Sequence, residues 1–432
     1  MKAVISNRIV LNADAELIKH ISKELTYRIT NSSTIHTGRP TIIKTWAKLS
    51  SSVISIPVGR TDLIPQGYEI IDKRVSIPVD FPKFKFDLRP SQQIVYDAAT
   101  ELTILNAPVS WGKSFTALAI AAKFSQKTLI VTHNTMLRDQ WVAEIKKAFG
   151  ITAGIIGSGK LETHSIITVA NIQTLVKHID SLASTFGMII LDEAHHCPST
   201  TFSSVIDKSK AKYKLGLTGT LERKDNHHVV FSDYFGFNIQ KPEAENYMVP
   251  EVVIIKTSIE FPEEACYADN VTKLETDTPE YVELLASLAD TAAANGHKVL
   301  VVGSRTQMLE LGPELCKYKS NYITGNIKSL EERNVLLAGL TNDYDILWGT
   351  VSIFSEGISQ SDLSCLILGA QINNEPLLRQ LIGRIVRLKE GKKQPLIIDI
   401  NLQGAISKRQ ARARMAHYLS TGYRVRTVDK LT

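Results

Sequence analysis

The stretch from Leu102 to Phe124 constrains this chain more than any other. Leu102 to Asn106 (Leu-Thr-Ile-Leu-Asn) reads as a short buried strand, and the Ala-rich run Phe115 to Phe124 reads as a helix. Between them lies Ala107 to Ser114, Ala-Pro-Val-Ser-Trp-Gly-Lys-Ser. A strand, an eight-residue loop closing on Gly-Lys-Ser, and then a helix make an arrangement that cradles phosphate. Backbone N–H groups of such a loop, and the positive end of the helix dipole, point at phosphate oxygens. Ser110, Trp111, Gly112, Lys113 and Ser114 are therefore the nucleotide-binding candidates. Gly112 lets the backbone approach closely, Lys113 reaches the β/γ-phosphates, and the Ser114 hydroxyl holds Mg²⁺. Ala107 stands where the first glycine of such loops is usual, and a solvated turn before a helix can also read Gly-Lys-Ser.

A second segment supplies the acids. Met188-Ile189-Ile190-Leu191 is an apolar strand that runs into Asp192-Glu193-Ala194-His195. A carboxylate at the carboxyl end of a buried strand can reach Mg²⁺ beside a phosphate loop, which makes Asp192 the metal-side acid. Glu193 is placed to orient or deprotonate an attacking water. His195 and His196 beside Cys197 have no further ligand at a zinc-like spacing.

Late in the chain, Gln380-Leu381-Ile382-Gly383-Arg384-Ile385-Val386-Arg387 sets Gln380, Arg384 and Arg387 at helical spacing, on one face of an otherwise apolar helix. Arginine forks at such a place stabilise the charge of a transferring phosphoryl group. Judged alone, the segment also reads as an ordinary basic amphipathic helix.

With 432 residues the chain exceeds one ordinary core, and two to three domains are expected. Beyond a Pro- and aromatic-bearing linker, Phe81 to Phe86, strands and helices alternate, which implies parallel sheets covered on both faces. The first block has strands at Leu129 to Thr132, Ile166 to Ala170, Met188 to Leu191 and Leu215 to Leu217. The second starts near Val252, with strands at Lys298 to Val302, Asn321 to Thr324, Ile346 to Thr350, Cys365 to Leu368 and Pro395 to Asp399. Ahead of the linker, Lys2 to Leu11 reads as a strand and Ala15 to Tyr27 as a helix. Thr41 to Leu49, Ser52 to Pro57, Tyr68 to Ile71 and Arg74 to Ile77 follow as strands or short apolar runs. The fold class is thus α/β, with domains at residues 1–85 (small, basic, α+β), 86–245 and 246–432.

The net charge of +6 is unevenly spread. Residues 1–85 hold 13 Lys/Arg against 7 Asp/Glu, and residues 403–432 hold 7 against 1, leaving an acidic middle. Basic ends suit a polyanion partner, although solvated charged faces have the same composition. Tyr27, Trp46 and Tyr68 lie among the basic residues of the first segment, which suits nucleic-acid contact and equally suits a core with a wet basic face. No run of about 18 apolar residues exists, so no membrane span is expected. Met1-Lys2-Ala3-Val4 lacks a signal-peptide core, so a cytoplasmic protein is expected. Cys197, Cys266, Cys316 and Cys365 lie far apart and read as reduced.

Together these segments resemble superfamily 2 DExH-type helicases. Asp192-Glu193-Ala194-His195 matches that family's acidic box letter for letter, Ala107 to Ser114 resembles its motif I, and Gln380 to Arg387 its motif VI. Leu88-Arg89-Pro90-Ser91-Gln92 looks like the adenine-reading segment, with Phe86 as stacking partner, so Phe86, Arg89 and Gln92 join the nucleotide-binding set. Thr132 to Trp141 resembles motif Ia, and Thr168 to Leu175 a strand-binding motif, implying nucleic-acid contacts from Thr132, His133, Thr168 and Gln173. Leu217-Thr218-Gly219-Thr220 looks like motif III with Gly219 where Ala is usual. Arg305 falls in the motif IV region, and Thr350 with Ser355-Glu356-Gly357 resembles motif V, which adds Arg305 and Thr350 as nucleic-acid contacts and Gly357 as a nucleotide contact. Ser359 stands where many relatives carry Asp. The phrase Phe354 to Ser359 and the small front module look most similar to phage helicases of the UvsW type.

The resemblance implies two tandem RecA-like domains that use ATP and Mg²⁺. Arg384 and Arg387 would serve as arginine fingers, and the protein would track one strand 3′ to 5′ as a monomer. Its implied partner is forked or branched DNA, including Holliday junctions and RNA–DNA hybrids, in recombination, replication or repair. An RNA helicase of the same fold and a duplex-DNA translocase subunit of a larger complex are the competing expectations.

Overall fold

The structure is a computed structural model, described for residues 1–29, 41–108, 111–193, 200–219, 230–245, 247–264, 266–327, 330–355 and 361–431. It divides into two compact units, Met1–Glu245 and Asn246–Thr432.

The first unit opens with a small sheet built from β1 (Lys2–Ile5), β2 (Arg8–Asn12), β5 (Ala47–Lys48), β6 (Val53–Pro57) and β7 (Glu69–Asp72), in the order β5-β6-β2-β1-β7. β3 (Thr26–Ile29) and β4 (Thr41–Lys44) pair separately. Three expectations are corrected here. Lys2 to Leu11 is a hairpin, because the chain turns at Ser6 and Asn7 and alternation buries Ala3, Ile5, Ile9 and Leu11 on one face. The first helix is Ala15–Glu24, capped by the Asp14 carboxylate on the Leu17 N–H. It stops before Tyr27, since Thr26 to Ile29 is taken up by pairing with β4. Arg74 to Ile77 forms no strand; Val75 makes one isolated bridge to Ala211.

This small sheet is docked by buried charge. Arg8 donates to both oxygens of Asp207 at 2.8 Å, and Asn7 donates to the Asp207 carbonyl at 2.7 Å. Asp233 is fully buried and accepts from Thr45 Oγ1 (2.6 Å), Tyr27 OH (2.9 Å) and Arg60 Nη1 (3.3 Å). Burial alone raises the Asp233 carboxyl above the usual range, and the three donors oppose that. The Phe81 to Phe86 segment is likewise pinned: Phe81 packs on Phe149, and Phe84 on Phe115.

The rest of the first unit is an eight-stranded sheet made of β8 (Leu102–Asn106), β9 (Thr128–Thr132), β10 (Gly154–Gly157), β11 (Lys160–Leu161), β12 (Ile167–Asn171), β13 (Met188–Leu191), β14 (Tyr213–Thr218) and β15 (Ile239–Gln240). Its order is β11-β10-β12-β9-β13-β14-β8-β15, and only the β10–β11 pair is antiparallel. Alternate residues enter two cores: Ile190 and Leu217 pack with Leu118 and Trp141, whereas Ile189 and Leu191 pack with Val131 and Phe202. Each fully buried branched residue contributes about 1.5–3 kcal/mol. A parallel sheet delivers its carboxyl ends to one edge, and that edge is where ligands bind in such folds.

The second unit is a seven-stranded, fully parallel sheet. Its strands are β16 (Glu251–Glu260), β17 (Val299–Gly303), β18 (Ser320–Ile323), β19 (Ile346–Thr350), β20 (Cys365–Leu368), β21 (Leu396–Gln403) and β22 (Arg424–Val428), in the order β18-β19-β17-β20-β21-β16-β22. The edge strand β22 carries no expectation from the sequence, and β21 runs four residues past Asp399. Arg414 and Asp399 form a buried pair at 2.8 Å behind this sheet. Cys266, Cys316 and Cys365 are free thiols, and Cys197 lies outside the described residues. No helix among the described residues is long and apolar enough to cross a membrane.

Candidate active site

The loop after β8 turns into the helix Lys113–Phe124 at Gly112, whose φ of +95° is left-handed. The backbone angle calls for glycine, and a Cβ there would lie 2.7 Å from Gln92 Nε2 and push that amide aside. Lys113 Nζ donates to the Ala107 carbonyl at 3.2 Å, which folds the ammonium back over the loop. Ser114 lies in the first helical turn and is half-buried.

The structure gives the adenine-reading candidates a different first task. Arg89 donates to the Trp111 carbonyl, and Gln92 Nε2 donates to the same oxygen at 3.1 Å. Both side chains thus hold the phosphate loop itself. Trp111 is corrected as a nucleotide-contacting side chain. Its ring is buried in the core and its indole N–H donates to Ser91 Oγ at 3.1 Å, so only its backbone faces the loop. Phe86 is exposed against Phe84 and Phe115, with the Lys147 ammonium 5.7 Å from its ring centre. Ser110 and Gly357 lie outside the described residues, as do Ala194, His195, Thr220, Glu356 and Ser359.

β13 ends at the acids. Asp192 is buried; its Oδ2 accepts the Trp141 indole N–H at 2.8 Å and its Oδ1 accepts the Glu193 N–H at 2.9 Å. Glu193 adopts φ +51°, a strained backbone for a side-chain-bearing residue of the kind that collects at functional sites. The Asp192 carboxyl is pushed up to about 6, first by burial and then by the Glu193 charge, against the Trp141 hydrogen bond and the Lys113 charge. Two adjoining carboxylates, one of them buried, form an all-oxygen donor pair, to which the Ser114 hydroxyl at the start of the phosphate-loop helix would add a third oxygen. Such a set suits a hard divalent cation, whose charge would relieve the repulsion that raises Asp192. The residues present therefore fit Mg²⁺. Trp141 was not singled out by the sequence; a buried indole needs an acceptor, but only the fold names which one.

Candidate nucleic-acid contacts divide sharply. His133 and Gln173 emerge together at the carboxyl ends of β9 and β12, where Gln173 Nε2 donates to the His133 carbonyl at 2.7 Å. Thr132 and Thr168 are fully buried, and their hydroxyls donate to carbonyls inside the unit. Their side chains are corrected from phosphate contacts to core residues, because all-parallel strands bury both faces.

In the second unit, Gln380 and Arg384 lie one turn apart on the helix Glu375–Ile385. Arg384 is buried, and its Nε donates to the Phe354 carbonyl at 2.7 Å. Arg387 does not share their helical face, which is a correction. The helix is capped at Val386, whose carbonyl accepts the Met248 N–H at 2.7 Å, and Arg387 bridges Tyr247 in extended form. Arg305 follows β17, but its guanidinium is folded onto the helix Tyr267–Thr276, donating to Thr272 Oγ1 (2.8 Å) and the Ala268 carbonyl (2.9 Å). Thr350 ends β19 half-buried, with its hydroxyl 3.3 Å from that of Ser352.

A phosphate loop opening a helix, with an acid pair at the end of a strand in the same parallel sheet, defines a nucleoside-triphosphate-hydrolysing enzyme. Comparison with known proteins narrows the class. Residues 85–223 match the family described as "Type III restriction enzyme, res subunit", and residues 280–389 match "Helicase conserved C-terminal domain". The chain is 39% identical over 440 residues to the protein described as "Probable helicase D10" of Escherichia phage T5, covering 99% of this chain and 96% of that one. It is 27% identical over 322 residues to "ATP-dependent DNA helicase uvsW" of Enterobacteria phage T4, covering 67% and 63%. The solved structure of Saccharomyces cerevisiae Dbp5 bound to RNA and ADP BeF3 shares the fold, with TM-score 0.54 at 12% identity over 78% of this chain and 89% of that one. The chain belongs to the superfamily 2 DExH-type helicases, with UvsW-type similarity, and is an enzyme that couples ATP hydrolysis to nucleic-acid unwinding.

Proposed function

We propose that this helicase acts on DNA, unwinding or branch-migrating forked, four-way and RNA–DNA hybrid substrates in recombination, replication or repair. It moves 3′ to 5′ along one strand, as a monomer, in the cytoplasm. In this reading Lys113 neutralises the β/γ-phosphates, and Ser114 and Asp192 hold Mg²⁺. The bound ion would polarise the phosphoryl oxygens. Trp141 fixes the Asp192 carboxylate, and Glu193, presented by its left-handed backbone, orients the attacking water. Arg384 and Arg387 stabilise the charge on the transferring group. His133, Gln173, Arg305 and Thr350 meet strand phosphates, Arg305 after leaving Thr272. Phosphate contacts carry no base information, so the enzyme reads substrate shape and not sequence. The small basic sheet, held on the first unit through Asp207 and Asp233, is the candidate reader of that shape.

The observation that carries the hydrolytic part of the reading is the buried Asp192 beside Glu193, its charge countered by Lys113, and the DNA substrate is supported by the likeness to the T4 DNA helicase. The test measures ATP turnover in parallel against linear, forked, four-way and RNA-containing substrates. Forked and four-way DNA should stimulate most, and equal stimulation by linear single strands would remove the branched-substrate assignment. The match to a restriction-enzyme res subunit favours a second reading, duplex translocation without unwinding. Strand separation by the isolated chain decides against it.

A further inference from the structure

The helix Ala405–Ser420 carries charges that its own fold does not ask for. It contains Lys408, Arg409, Arg412 and Arg414 and no Asp or Glu. Arg414 is accounted for: it is buried, and donates to both Asp399 oxygens (2.8 Å) and to the Ile372 carbonyl (3.0 Å). Lys408, Arg409 and Arg412 are exposed, and among the described residues none of them forms an ion pair. The carboxylate at this helix start, Glu263, accepts the Ala405 N–H at 3.0 Å.

Those three cations violate two local rules together. Lys408–Arg412 and Arg409–Arg412 are like-charge pairs four and three residues apart, a spacing at which they repel. Lys408 also closes the first turn of the helix, beside the positive end of its dipole, where a cation is unfavourable. Packing does not require them, because the buried face is made by Ser407, Gln410, Arg414, His417 and Tyr418. Residues that break local rules without a gain inside the fold mark function.

Their position supplies the partner. The helix leaves the carboxyl end of β21, and β17, β19, β20 and β21 are all parallel, so it starts at the sheet edge that also presents Arg305 and Thr350. β21 is two strands from β17, which is ~10 Å at ordinary strand spacing. Alongside the cations, the exposed face shows Ala405, Ala413 and Ala416, with Leu419 at its far end and no aromatic ring. With no ring on which an unpaired base could stack, this face offers phosphate contacts alone, and those favour a duplex, which carries one charge per ~1.7 Å of axis against ~3.4 Å for one strand.

We propose that Lys408, Arg409 and Arg412 form a second nucleic-acid surface, which holds the duplex arm of the substrate by its phosphates. The proposal rests on the nucleic-acid motor reading above. It is tested on the full chain with Lys408, Arg409 and Arg412 changed together to Gln, and separately with Arg412→Glu. Binding is measured over a salt series to a duplex–single-strand junction and to a single strand alone. For the triple variant, the slope of log affinity against log salt on the junction should become shallower by about 2.7, at roughly 0.9 per lost phosphate contact. Junction affinity near 0.1 M salt should fall about tenfold or more, and Arg412→Glu alone should lower it by several-fold. Single-strand affinity and strand-stimulated ATP turnover should stay within about twofold, and the triple variant should melt no lower than the parent. An unchanged junction slope beside normal stimulated turnover overturns the helix proposal alone, and equal losses on junction and single strand overturn its duplex assignment. A lower melting temperature overturns the claim that the charges are held at local cost. ATP turnover in the unmutated chain that ignores nucleic acid overturns the motor reading itself.

Discussion

The two parallel sheets hold their functional side chains in opposite ways. In the first unit, Lys113, Asp192 and Glu193 are gathered at one sheet edge, and their charges already act on one another: Asp192 is raised by Glu193 and lowered by Lys113. In the second, the arginines are spent inside the unit. Arg384 donates to the Phe354 carbonyl, and Arg305 to Thr272 and Ala268. The first unit thus groups a cation and two carboxylates that would meet a phosphate and a divalent ion with little rearrangement beyond freeing Lys113 from the Ala107 carbonyl. The second keeps its guanidiniums satisfied, since a buried unpaired charge costs several kcal/mol. Arg384 is tied to Phe354, in the short helix Val351–Ser355 that follows Thr350. Any movement of that arginine is therefore felt at a segment read as a strand contact.

The sharpest way to break this comparison is to remove the charge that the first unit has preassembled. Lys113→Ala should lower ATP turnover by about 10³-fold or more while leaving single-strand affinity within about twofold. Turnover near the unmutated level would disprove the phosphate-loop assignment. In the second unit, Arg384→Lys keeps the charge and loses the fork, and should cost about 10²-fold in turnover with nucleotide affinity little changed. A loss confined to affinity would make Arg384 a ground-state binder.

The third test sets the units apart by pH. Glu275 in the second unit is buried, caps the start of the Arg305 helix by accepting the Ser304 and Arg305 N–H groups (2.8 and 2.7 Å), and is pushed up to about 7 by burial. The fold prefers its protonated form. Its contribution to stability is thus greatest below the ordinary value of 4.5 and is lost as pH rises through about 7. Glu275→Gln should flatten that fall, by about 2–3 kcal/mol between pH 5 and 8, in unfolding titrations of the two proteins side by side. Parallel pH curves would show that Glu275 is already ionised in the fold. The smallest effect is expected at Trp141→Phe, which deletes one hydrogen bond to Asp192 and should slow turnover about tenfold at saturating ATP. An unchanged rate would mean that burial alone positions the acid.

Much of the motor was legible locally. The P-loop register, the acid pair and most of the strands of both parallel sheets follow from short apolar runs bounded by turns, a signal that depends only on neighbours in the chain. The N-terminal sheet was read less well. Its strands are short, and their placement depends on contacts such as Arg8 with Asp207, 199 residues away. Helical spacing also misplaced Arg387, because Met248 and Tyr247 end that helix by pairing with Val386 and Arg387.

What the sequence determined by itself was the type of chemistry: a loop of the phosphate-cradling pattern, an acid pair of the kind that suits a divalent cation, and basic segments at both ends. Tertiary structure alone decided access and company. It buried Thr132 and Thr168, turned Trp111 into the core, sent Arg89 and Gln92 to the loop carbonyl, and placed Trp141 on Asp192. It also left Lys408, Arg409 and Arg412 in solvent while burying Arg414 on the same helix. Residue type and spacing set which interactions a side chain can make. Which of them it does make depends on what the rest of the chain brings within about 3 Å, and that distance is settled only by packing.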